Sequence, residues 1–183
     1  MAGMMNRESL SAVAIGAPLH AGSGAERAST EPDAAPERRP SHWRVEALDF
    51  AAIDPARIAA REDLFYLLVS ASFIESGSDL YTRNLSDHYV DYPEVAAWLR
   101  DHWEHEELQH GRAFECYVKA AWPEFPWQAA FDGFIAEYGP LCTMEELEPN
   151  RALELGARCV VETGTTTYYQ TLRDLSDEPV LTD

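Results

Sequence analysis

The chain has 183 residues, of which 46% are hydrophobic and 25% charged, enough for one domain with a buried core. Fourteen Lys and Arg face 32 Asp and Glu, a net charge of −18. Such a body repels phosphate backbones, has no basic stripe to attract them, and so excludes a nucleic-acid-binding role. No stretch has the roughly 18 uncharged apolar residues of a membrane span. The three cysteines, Cys116, Cys142 and Cys159, form no Cys-x-x-Cys pair, which excludes zinc ribbons and thioredoxin motifs and fits a cytoplasmic location.

Residues 1–40 are rich in Ala, Gly, Ser, Pro and Glu and have no aromatic residue. They offer too little apolar area to offset the entropy of ordering and are read as a disordered leader. The helical domain is expected over 41–183. A first helical pattern opens at Pro55, after Asp54 as cap, and runs to about Leu85. Its inner stripe reads Leu64, Leu68, Ala71, Glu75, Ser78, Thr82. A second runs from Pro93 to Ala121, with Pro123 ending it. Its stripe reads Ala96, Leu99, Trp103, Glu107, His110, Phe114, Tyr117, Ala121. A connection over 122–148, punctuated by Pro123, Pro126, Gly139 and Pro140, holds a short helix from Trp127 to Tyr138. A third long pattern runs from about Pro149 to Leu175 with the stripe Leu155, Cys159, Glu162, Thr166, Tyr169, Leu172, in which Cys159 reads as a small buried hydrophobe. The fold class is all-α, a helical bundle.

Each stripe carries an acid at its middle. Glu75 stands between Ala71 and Ser78, Glu107 and His110 between Trp103 and Phe114, and Glu162 between Cys159 and Thr166. Residues three and four apart share a helix face, so each acid points where its apolar neighbours point. A buried carboxylate is costly unless neutralised, paired or coordinated. No Lys or Arg shares a stripe within one turn of these acids, which favours coordination. The bland competitor is a hydrogen-bonded network of Glu75, His110 and Glu162 with Ser78, Tyr169 and water.

One Glu on a first helix, Glu-x-x-His on a second and one Glu on a third resemble the ferritin-like di-iron carboxylate proteins, and the aromatic bulk of Trp98, Trp103, Phe114, Tyr168 and Tyr169 is similar to their desaturase and oxygenase-like branch. The resemblance spans roughly residues 55–175. It implies two iron ions, or iron with manganese, with Glu75 a terminal ligand, Glu107 bridging, His110 on one metal and Glu162 terminal on the other. It also implies an oxidoreductase that activates dioxygen to oxidise a small-molecule substrate. Glu104, Asp79 and Tyr169 are the residues placed to support those ligands. The family carries a second Glu-x-x-His on a fourth helix, and none follows Glu162 before Asp183. The expectation is therefore a bundle with three long helices present and the fourth missing or supplied elsewhere, as in a C-terminally truncated chain. Its uncovered stripes predict homo-oligomers. Two alternatives stand beside this one: a metal-free helical scaffold or interaction module, and a heme-oxygenase-like di-iron oxidase. His88, His102, His105 and Glu106 read as surface residues, and the absence of phosphate-binding loops and of a Gly-x-Ser-x-Gly elbow leaves nucleotide chemistry and serine hydrolysis unsupported.

Overall fold

A computed structural model of the chain describes residues 44–182, and every regular element among them is helical. The leader expected over 1–40 lies outside the described residues. After short 3₁₀ turns at Val45–Ala47 and Phe50–Ala52 come α1 (Pro55–Ile58), α2 (Glu62–Ser76), α3 (Asp79–His88) and α4 (Pro93–Trp98). A single π-helical turn, Leu99–Trp103, joins α4 to α5 (Glu104–Ala121) without a break. Then follow α6 (Trp127–Tyr138), two further 3₁₀ turns, α7 (Arg151–Leu175) and the short α8 (Pro179–Thr182). None of these helices is long and apolar enough to cross a membrane.

The helix expected over Pro93–Ala121 is present along that whole length, and so is the short one over Trp127–Tyr138. The helix expected from Pro55 to Leu85 is instead three segments. Asp54 caps α1 through Ala56 N, but the helix stops at Ile58, and Gly77 closes the last turn of α2 before α3 departs. All six residues of that first stripe are nevertheless buried, because α3 continues the inner face that α2 begins.

The most extensive packing joins α2 to α5. One apolar cluster gathers Leu64 and Leu68 of α2 against Tyr117, Val118 and Ala121 of α5, with Trp127 and Leu172. A second gathers Leu85 and Tyr89 against Ala96, Leu99 and Trp103. Residues early in one helix thus meet residues late in the other, so the two run antiparallel. Glu75 and Glu107 lie in sequence between the two clusters on their respective strands of the hairpin.

Helix α7 differs from expectation. Its stripe was to bury Leu155, Cys159 and Thr166, yet all three are exposed, and Glu154 and Leu172 are its buried residues. The reason is coverage: α7 touches α2 along a narrow seam and is held chiefly at its two ends. At the N-terminal end Arg151 donates to His88 O at 2.7 Å and to Asp91 at 2.8 Å, while Tyr89 donates back to Arg151 O at 2.7 Å. Arg158 pairs with the buried Glu154 at 2.8 Å, and Glu148 N donates to the same carboxylate. At the other end Leu172 enters the first cluster, and buried Glu178, which accepts from Tyr117 at 2.9 Å and from Leu181 N at 3.0 Å, turns the chain into α8.

Candidate metal centre

Four residues of the inner stripes were expected to converge, and the structure brings three of them together. Glu75 on α2 and Glu107 and His110 on α5 each offer a ligand atom, all within 4.8 Å of one another. Both carboxyls are buried, Glu75 at 5% and Glu107 at 7% exposure. The i,i+3 spacing of Glu107 and His110 sets His110 Nδ1 3.5 Å from Glu107 Oε2. Glu162 stands on α7, half-buried and close enough for its charge to act on Glu107 and to be acted on by His110, but outside that 4.8 Å group.

Burial, then a hydrogen bond to Glu107, pushes the Glu75 carboxyl far above the usual carboxylate range. Burial pushes Glu107 the same way, but hydrogen bonds from His110 and Glu75, the His110 charge and the Trp103 side chain outweigh it and hold Glu107 below its ordinary value. Burial and the Glu107 charge also raise Glu162, with Arg158 and His110 opposing.

The surrounding aromatic groups are donors. Tyr169 on α7 gives its hydroxyl hydrogen to Glu75 Oε1, bridging the seam between α7 and α2. The Trp103 side chain, in the π turn, hydrogen-bonds Glu107, and an indole can only donate. Tyr81 packs edge-on against Trp103 with ring centroids 5.7 Å apart. Burial and the nearby Glu107 and Glu75 drive the Tyr81 hydroxyl far above its ordinary range.

Tyr169 thus supports a candidate ligand as the sequence suggested. The Asp79 carboxylate is engaged elsewhere, by Arg83 at 2.5 Å. Glu104 is half-buried one turn before Glu107, while His105 and Glu106 are exposed.

Three contributors escaped the sequence reading. Trp103 was taken as core bulk, and its donor role depends on the π turn, which no periodicity announces. Tyr81 lay off the stripe that was followed. Gly111 had a legible signal: it follows Glu107 by four residues and so sits on the ligand-bearing face. A Cβ built there would lie 2.5 Å from Ser76 N and 2.7 Å from the Glu75 carbonyl carbon. Only glycine lets the α5 backbone press against α2 at the turn carrying Glu75.

Two carboxylates and one imidazole whose ligand atoms lie within 4.8 Å of one another form a mixed oxygen and nitrogen group that could hold one metal ion. Beside the trio, between α2 and α7, a cavity of about 480 Å³ reaches Glu75 and Tyr169. No family model, no curated protein and no solved structure matches the chain.

Proposed function

We propose that the chain is a carboxylate-bridged metal oxidoreductase in which Glu75, Glu107 and His110 hold a first iron or manganese ion and Glu162 supplies an oxygen donor for a second. The observation that carries it is the meeting of buried Glu75 and Glu107 with half-buried His110, their ligand atoms all within 4.8 Å of one another. The reaction class comes from the resemblance to ferritin-like di-iron proteins: when bound, the metal pair supplies the reducing equivalents and the oxygen-binding position for dioxygen-dependent oxidation of a small-molecule substrate.

The protein's own part follows from the contacts described above. Tyr169 aims Glu75, and Trp103 with His110 aims Glu107, so that ligand orientation is fixed before a cation enters. A cation held there would need both carboxyls ionised, and the raised Glu75 makes that uptake dependent on pH. The apolar clusters at both ends of the α2–α5 pair lower the polarity around the group and strengthen the charge interactions between them.

A metal-free scaffold is the second reading, and the closed chain of hydrogen bonds from Tyr169 to Glu75 to Glu107 favours it, since a self-satisfied polar network needs no ion. Metal content after anaerobic iron loading separates the two. One to two irons per wild-type chain, lost in Glu107→Ala, is the outcome expected of the metal centre. No bound metal in either protein would overturn a self-sufficient metal centre in this chain.

A further inference from the structure

The cavity between α2 and α7 has a wall chemistry that selects its occupant. Two small residues, Ala71 on α2 and Gly164 on α7, open the space, and Ile74 and Val161, each 49% exposed, stand at its mouth. A Cβ at Gly164 would meet nothing within 4 Å, so the space begins at the α7 backbone itself. The polar groups in the wall are already spent. Tyr168 donates to Leu67 O at 2.7 Å and turns its ring to the cavity, Thr165 donates to Val161 O at 3.1 Å within its own helix, and Tyr169 donates to Glu75. Ser70 is at the exposed edge. Among the described residues no Lys, Arg or His lines the cavity, and Glu75 is the one carboxylic acid in its wall.

A wall without a cation or an uncommitted buried donor offers an anion nothing in exchange for its hydration, and the net charge of −18 repels it before it arrives. We propose that the cavity binds a non-anionic, predominantly apolar small molecule, whose inner end lies against Glu75 and Tyr169. The volume suits a ligand of that kind, since such sites measure about 300–1,000 Å³. That this molecule is the substrate rests on the metal reading above; its location rests on the cavity, and its lack of negative charge on the cavity wall and the charge of the chain.

The test uses the full chain with N-phenyl-1-naphthylamine, a neutral fluorescent probe, displaced by octan-1-ol, octanoate or octylammonium. Gly164→Leu fills the cavity, while Gly156→Leu adds the same side chain to the same helix outside it, where a Cβ also meets nothing. Both changes replace a mid-helix glycine by a better helix former, so neither is expected to unfold the protein. Expected are saturable binding to wild type and Gly156→Leu, at least about a tenfold loss in Gly164→Leu, and displacement by octanol and octylammonium about tenfold more readily than by octanoate. Equal binding to the two variants, or octanoate displacing as well as the alcohol, would overturn the proposal. Iron content is measured on the same three proteins. A chain that takes up iron without this probe pattern sinks the ligand inference, and one that keeps the pattern without iron sinks the metal reading alone.

Discussion

At the scale of single residues, the α5 ligands test most directly. Glu107→Ala and His110→Ala should lower metal uptake far more than Glu106→Ala, because Glu106 is on the exposed face of the same turn. Equal losses in all three, read by plasma mass spectrometry, would remove the ligand assignment. The raised Glu75 carboxyl gives a second prediction. The folded chain holds Glu75 well above its unfolded value near 4.5, so between those two values the native state carries more protons than the unfolded state. This contribution to stability is complete below about pH 4.5 and is lost as pH rises through the folded value. Glu107, shifted downward, acts in the opposite sense and only below its unfolded value. In chelator, denaturant midpoints should therefore fall between about pH 5 and 8 more steeply for wild type than for Glu75→Gln, which carries no proton to lose. Parallel slopes would mean that Glu75 titrates normally.

Among the elements, the α2–α5 contact governs the site, and Gly111 governs the contact. Gly111→Ala must displace the Ser76 and Glu75 backbone, and overpacking of this kind costs about 1–3 kcal/mol. Gly156→Ala, with open space around it, should stabilise by about 1 kcal/mol through helix propensity. Thermal or urea unfolding of the two single variants measures both, and a similar sign for each would contradict the close approach. What the sequence disclosed divides along the same line. The inner stripes of α2–α3 and of α4–α5 were legible because each faces a partner along its length, so period and burial coincide from Leu64 to Thr82 and from Ala96 to Ala121. The stripe of α7 was not, because a helix held at its ends buries what its anchors require, here Glu154 and Leu172, and leaves Leu155 and Cys159 in water. The trio Glu75, Glu107 and His110 was legible as three polar interruptions of apolar stripes. The Trp103 donor and the Tyr81 ring packed on it were not, since their roles come from a π turn and from a neighbouring element.

For the molecule as a whole, the excess of 18 negative charges makes the folded state repel itself, and screening should relieve this. Raising sodium chloride from about 10 mM to 0.3 M should raise the unfolding midpoint, because the Debye length falls from about 30 Å to below 8 Å. A midpoint that falls would mean that ion pairs such as Arg83–Asp79 and Arg151–Asp91 outweigh the repulsion.

Helix α7 is fastened at Arg151 and at Leu172, and between those points its backbone is built from weak material. Gly156 and Gly164 interrupt it, and the hydroxyls of Thr163, Thr165, Thr166, Thr167 and Thr171 each bond the carbonyl four residues back, an arrangement that loosens and bends helices. Its middle also forms one wall of the cavity and bears Glu162. Amide deuterium uptake should accordingly be fastest over roughly residues 156–167 and slow through α2 and α5, so that the bundle's least protected turns are the ones that stand between solvent and Glu75. A cation or a small molecule then has a route inward that leaves the α2–α5 scaffold shut: the wall breathes and carries Glu162 with it, while Glu75, Glu107 and His110 behind it stay where they are.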